Sequence, residues 1–301
     1  MKTLISRRVF VAGVGALLLQ PLLGTDETNE KPVLRFGLVT DLHYGNMKTA
    51  GTRLYRESRP KLAEAVKVFN ARKVDFMIEM GDFKDMARKK GKASVSGTLA
   101  FAREIEETYA AFKGPRYHVL GNHDNDCVNN DEILPLYPNT GIDAGKSYYS
   151  FVAKGVRCLV LDGNYNKQMQ HYQGHPCNWN WIDSNLPPEE VAWLQKELAA
   201  SKEPVLVFVH QRLDSKARKF HRIQNGEAVQ KILEASGKVK GVFQGHDHLG
   251  GFAFEHGVNY YTLPAMVEGP KASYAEVAVY PSGKIAVTGF VRAPSRDWKT
   301  A

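Results

Sequence analysis

Residues 34–43 read Leu34-Arg35-Phe36-Gly37-Leu38-Val39-Thr40-Asp41-Leu42-His43: an apolar strand, Leu34 to Val39, that stops on an Asp-x-His cluster. The same arrangement returns four times. Phe76–Met80 stops at Gly81-Asp82, and Tyr117–Leu120 at Gly121-Asn122-His123-Asp124. Val205–Val209 stops at His210, and Val239–Gln244 at Gly245-His246-Asp247-His248. Any one cluster reads as a turn, because Gly, Asp and Asn are turn formers. Five in series read differently, since ligands of α/β sheets bind outside the carboxyl ends of strands. Five of the ten histidines fall in these clusters.

Between the strands the apolar spacing turns helical. Arg53–Arg72 carries Leu54, Leu62, Ala65, Val66 and Phe69 on one face, and Val95–Phe112 reads as a second helix. Tyr148–Ala153 and Val156–Leu161 form a hairpin across Lys154-Gly155, and Pro188 opens a helix to Ala200. After Gly251 the chain is strand upon strand (251–256, 258–263, 274–280, 285–290). The pattern predicts an α/β fold with two packed mixed β-sheets flanked by helices, in one domain over residues 32–301.

Residues 1–24 stand apart. Lys2, Arg7 and Arg8 precede an apolar run from Val9 to Leu19, too short for the ~20 residues that span a bilayer. The stretch has the form of a secretory signal, with a buried N-terminal helix as the competing reading. Ser6-Arg7-Arg8-Val9-Phe10 resembles the twin-arginine export signal, which implies the export machinery as a partner and a periplasmic or secreted protein. Residues 25–31 are then a linker.

Composition fits a globular chain: 301 residues, 43% hydrophobic and 24% charged, so disorder is excluded. Three cysteines without a C-x-x-C pair exclude a disulfide scaffold and a Cys-based zinc knuckle. The formal charge of +8 points toward nucleic acid, but loss of Lys2, Arg7 and Arg8 with the signal lowers it to +5. No separate nucleic-acid-binding domain is visible.

Asp41, His43, Asp82, Asn122, His210, His246 and His248 mix oxygen and imidazole donors. Such a set suits Mn, Fe or Zn ions better than Ca²⁺ or Mg²⁺. Seven ligands exceed one open-sided ion and suit two ions sharing a carboxylate. Two divalent ions against two aspartates leave a positive site, which favours a phosphorylated substrate attacked by a water shared between the metals. His123 is the candidate to protonate the leaving oxygen, with Asp124 orienting its ring.

The ordered series Asp41-x-His43, Gly81-Asp82-x-x-Asp85, Gly121-Asn122-His123-Asp124, His210 and Gly245-His246-x-His248 resembles the calcineurin-like metallophosphoesterase superfamily, from Leu34 to about Phe290. The resemblance implies a four-layer double β-sandwich. One ion would take Asp41, His43, His248 and the shared Asp82; the other would take Asp82, Asn122, His210 and His246. It also implies His123 as general acid or transition-state stabiliser. Purple acid phosphatases carry Tyr where this chain has Asp85, so a colourless or pale protein is expected. Gly51–Ser58, Leu186–Leu194 and Glu268-Gly269-Pro270 resemble, more weakly, the manganese-dependent ADP-ribose/CDP-alcohol diphosphatase branch, which favours Mn. A non-catalytic polyanion-binding scaffold on the same fold would be expected to have lost ligands. A nuclease is a further alternative within the enzymes.

Asn122 and Arg212 are candidates to touch substrate. Arg212, Lys216, Arg218, Lys219 and Arg222 hold a second phosphate or form a solvated basic face. The loop 164–185, with His171, Tyr172, His175, Trp179 and Trp181, is a lid that stacks on a base or sugar, or a loop packed on its own aromatics. His118, His221 and His256 read as ordinary. Cys127 and Cys177 are candidates to pair, and Cys158 belongs to the core.

Overall fold

The computed structural model describes residues 30–298, so the expected export signal lies outside the described residues, with most of the linker. The strands are β1 (Leu34–Val39), β2 (Phe76–Glu79), β3 (Arg88–Lys89), β4 (Lys92–Ala93), β5 (Arg116–His118), β6 (Tyr149–Ala153) and β7 (Val156–Val160). They continue as β8 (Val205–Phe208), β9 (Val239–Gln244), β10 (Gly251–Glu255), β11 (Val258–Thr262), β12 (Ser273–Val279), β13 (Ile285–Val291) and β14 (Arg296–Asp297). The helices are α1 (Ser58–Arg72), α2 (Val95–Tyr109), α3 (Asn130–Ile133), α4 (Pro188–Ala200) and α5 (Gly226–Ala235).

Two six-stranded sheets result, ordered β14-β13-β12-β1-β2-β5 and β10-β11-β9-β8-β7-β6, beside a small β3-β4 hairpin. β1, β2 and β5 run parallel, as do β7, β8 and β9, while β12 and β6 join their neighbours antiparallel. The facing sides are apolar: Phe36 stacks on Phe76 at 4.8 Å and meets Phe208 and Phe243 edge-on, within a core that extends to Tyr261 and Trp298. Leu62, Val66 and Phe69 of α1 and Ile105 of α2 cover the outside of the first sheet. Leu194 of α4 and Leu233 of α5 cover the second. The mixed, four-layer α/β sandwich is thus the one expected. A Cβ at Gly37 would lie 2.5 Å from the Phe69 ring, so glycine there lets α1 settle on β1.

Two elements depart from expectation. The helix foreseen from Arg53 starts at Ser58, because residues 50–54 are drawn into bridges instead: Arg53 pairs with Glu268, and the Leu54 amide donates to the Val267 carbonyl at 2.9 Å. Helix α5, buried through Val229 and Leu233, was not foreseen in the stretch after His210. Among the described residues no helix is long and apolar enough to cross a membrane.

Candidate metal centre

β1, β2, β5, β8 and β9 deliver their five polar clusters to one edge of the sandwich. His210 Nδ1, from the second sheet, lies 2.8 Å from the Met80 carbonyl of the first, so the two sets of strand ends meet. Their turns are sharp. Asp41, His43, Asp82 and His246 all have left-handed backbone (φ 48°, 44°, 55° and 63°), a conformation side-chain-bearing residues seldom adopt and one that clusters at functional sites. Gly121 is needed for the approach, since a Cβ there would sit 2.2 Å from the Asp82 amide nitrogen.

Six of the seven expected ligands come together in two groups, and Asn122 lines the pocket beside them. Asp41, His43 and His248 form one group, and Asp82, His210 and His246 another, each with donor atoms within 4.8 Å of one another. His43 Nε2 lies 3.2 Å from His248 Nε2 and 3.4 Å from Asp82 Oδ2, and His210 Nε2 lies 3.2 Å from the same Asp82 oxygen. Asp82 therefore sits between the groups.

Three of the four rings have a group beside their other nitrogen: Glu268 Oε1 at 2.6 Å from His248 Nδ1, the Met80 carbonyl behind His210, and, as an ion-pair contact, Asp85 Oδ2 at 3.3 Å from His43 Nδ1. Asp41 spends Oδ2 on the Thr40 hydroxyl and the His246 amide. What remains is a set of buried atoms with no hydrogen-bond partner among the described residues: Asp41 Oδ1, Asn122 Oδ1, His210 Nε2 and His246 Nε2. Buried polar atoms left unpaired are costly, and four of them at these adjoining strand ends fit cations as their missing partners.

The electrostatics agree. Burial pushes His210 down, yet Asp82 and Asp41 outweigh it and raise the ring to about 10. Burial, with His210 adding to it, takes His246 down to about 3. Asp41 and Asp82 are held below the usual carboxylate range, burial being overcome chiefly by His210. The cluster thus demands positive charge at its centre.

A pocket of about 450 Å³ opens over these groups, walled by Arg53, Arg218, His221, Trp179 and Trp181. The Trp179 indole donates to the Asn122 carbonyl at 2.7 Å, and Trp181 packs 5.9 Å from the His246 ring. In the loop 164–185 Tyr172 is buried against Asn180 and Ser184, while Trp179 and Trp181 line the pocket.

Three expectations need correction. Asp124 does not orient His123. Its carboxylate accepts the amides of Gly121, Asp82 and Phe83 and the Tyr137 hydroxyl, so it ties two loops together. The His123 ring turns to Asp126 instead, with Nδ1 3.1 Å from Oδ2. Arg212 is 4% exposed and locked onto Asp214 and Asp247, because a buried guanidinium must be paired, so it is closed to substrate. Arg218, whose side chain is 52% exposed, faces the pocket. Cys127, buried against the Thr98 hydroxyl, and Cys177 are both free thiols, and Cys158 lies in the core. Sequence reading also missed Arg53 and His221 at the pocket; neither lies in a cluster at a strand end.

Fold and site together define the class of metal-dependent phosphoester hydrolases. The model of the family described as calcineurin-like phosphoesterase matches residues 34–250, and the chain belongs to that family. It is similar to a manganese-dependent ADP-ribose/CDP-alcohol diphosphatase of Arabidopsis thaliana, 29% identical over 89% of this chain and 98% of the relative. The zebrafish (Danio rerio) protein of the same name is 26% identical over 83% and 93%. In fold it is similar to a dimetal phosphatase from Danio rerio, with a TM-score of 0.75, 21% identity, and 90% of this chain and 100% of that one covered.

Proposed function

We propose that the protein hydrolyses a small nucleotide-type diphosphate at a dinuclear centre, with Asp41, His43, His248 and Asp82 holding one ion and Asp82, Asn122, His210 and His246 the other. The observation that carries this reading is the set of four unpaired buried donor atoms under a pocket walled by arginine and tryptophan. Manganese is the favoured metal, in line with the relatives named for it. The ions, when bound, supply Lewis-acid activation of water and of the phosphoryl oxygens.

The chain's own residues do the rest. Arg53 and Arg218, both on the pocket wall, are the cations that meet the anionic substrate. Trp181 and Trp179 offer aromatic faces to a base or sugar. His123 Nε2, the ring nitrogen not turned to Asp126, holds the proton that the leaving oxygen receives.

The test is a panel of ADP-ribose, a CDP-alcohol, bis-p-nitrophenyl phosphate and p-nitrophenyl phosphate with Mn²⁺-reconstituted protein. The diphosphates should show the highest kcat/KM. Absence of bound metal, or of hydrolysis on every ester, removes the enzyme reading, and a monoester preference removes the diphosphate one.

Residues 1–24 are proposed, by their twin-arginine pattern, to direct export to the periplasm or outside the cell. Replacing Arg7 and Arg8 with Lys should retain the protein in the cytoplasmic fraction. An unchanged distribution would count against export by this route.

A further inference from the structure

The group that aims the His123 ring, like Glu268 behind His248, lies outside every strand-end cluster read from the sequence. The turn Asn122–Asn125 carries the chain round so that Asp126, 2% exposed, comes back beneath the His123 ring. Asp126 Oδ2 lies 3.1 Å from His123 Nδ1, and its second oxygen, Oδ1, accepts from the Lys84 ammonium at 2.7 Å. Lys84 is fully buried and also donates to the backbone carbonyl of His123 itself. One ammonium therefore grips both the carboxylate behind the ring and the backbone that bears the ring.

Three other carboxylates are near and none does this: Asp82 gives Oδ1 to the His123 amide and turns Oδ2 to His43 and His210. Asp124 spends both oxygens on backbone amides and on Tyr137. Asp85 is 3.8 Å from His123 Nδ1 but 3.3 Å from His43 Nδ1, and so belongs to His43.

We infer that Asp126, locked by Lys84, is the positioning residue of His123: its Oδ2 accepts a hydrogen bond from the Nδ1–H, and so fixes the ring with Nε2 toward the pocket. The inference rests on the phosphoester-hydrolase reading given above. In the step it serves, the P–O bond to the leaving group breaks with its electron pair on the leaving oxygen, which takes the Nε2 proton. The water whose oxygen joins phosphorus releases one proton to solvent, and His123 regains one from solvent, so a single water is consumed. Lys84 holds Asp126 in place, since its ammonium grips Oδ1 and leaves Oδ2 under the ring.

A group that aids proton donation matters most when the leaving group is poor, whereas a group that merely supports the fold lowers all rates alike. The test measures Mn²⁺-loaded full-length protein on two diesters, one with a p-nitrophenyl and one with an alkyl leaving group. His123→Ala should lose roughly 10²–10⁴-fold on the alkyl ester and far less on the aryl ester. Asp126→Asn and Asp126→Ser should follow the same pattern at roughly 10–100-fold on the alkyl ester, with KM and metal content unchanged. Asp85→Asn, which acts on His43, should lower metal content and lower both esters together.

If Asp126 variants lose both esters equally, or lose neither, while His123→Ala keeps its leaving-group dependence, the clamp is wrong and the hydrolase reading stands. If His123→Ala shows no such dependence, proton donation by His123 and the clamp fall together. Metal-replete Lys84→Met supplies a second check, because it should weaken the alkyl ester selectively while leaving Asp126 in place.

Discussion

At the scale of single residues the centre is an arrangement of lone pairs. The His43, His210 and His248 imidazoles each have a carbonyl or carboxylate beside the far nitrogen, and their near nitrogens lie beside the Asp41 and Asp82 carboxylates. Asp82 is the residue on which both halves depend, because its Oδ2 lies within 3.4 Å of His43 and 3.2 Å of His210. Asp82→Asn should therefore reduce Mn²⁺ content after reconstitution from about two ions per chain to one or fewer, read by elemental analysis after gel filtration. Two tightly held ions in that variant would show that Asp82 is not shared. The ligand residues were legible in the sequence because each follows an apolar strand. The groups that aim them were legible only in part. Asp85 belongs to a motif, but Glu268 and Lys84 have no local pattern: their roles come from contacts across 20 residues for the Glu268–His248 pair and 42 for the Lys84–Asp126 pair.

At the scale of elements, the segment 164–185 sets what the pocket accepts. Trp181 borders both His246 and His221, at 5.9 and 5.7 Å between rings. If a base or sugar stacks there, Trp181→Ala should raise KM for a nucleotide substrate roughly 10-fold, as expected for a stacking contribution of about 1–3 kcal/mol. KM for p-nitrophenyl phosphate, which lacks the base, should hardly move, and an equal change for both substrates would place the base elsewhere. The segment is latched by His171 Nε2 on Asp162 Oδ2 at 2.7 Å. Burial opposes the charge on both partners, but each outweighs it for the other: Asp162 is lowered below its usual value and His171 raised above 6.5. The His171 contribution is complete below pH 6.5 and fades as pH climbs through its raised value. The Asp162 contribution is complete above about pH 3.8 and fades as pH falls through its depressed value. The latch is thus strongest between these limits. Hydrogen exchange in 164–185, corrected for intrinsic rates, should lose protection from pH 6 to pH 9, and His171→Gln should flatten that trend. Matching curves for both proteins would dismiss the latch.

At the scale of the whole molecule, the centre is only as stiff as the sandwich behind it. Phe36 joins the two sheets through Phe76, Phe208 and Phe243, so Phe36→Ala opens a cavity at their interface. A loss of about 3–5 kcal/mol is expected, lowering the melting temperature by roughly 5–15 °C at matched Mn²⁺. A shift under a degree or two would mean that the sheets close over the gap.

The sequence by itself determined the sandwich and its seven candidate ligands, because strand periodicity and the residues closing each strand are local properties. It also carried the reversal of the charge argument, since three of the basic residues lie in the expected export signal. Which carboxylate serves which ring was decided by tertiary structure alone. Asp124 is next to His123 in the chain, yet its oxygens are claimed by backbone amides of a neighbouring loop, while Asp126 is carried round by one tight turn. Arg212 and Arg218 show the same thing. Both are basic residues in one loop, but Arg212 is buried between Asp214 and Asp247, while Arg218 pairs with Asp247 from a half-exposed place on the pocket wall. Chain position confers a residue's chemistry, and only packing confers its partners, because a buried charge takes whichever counter-charge the fold brings within reach.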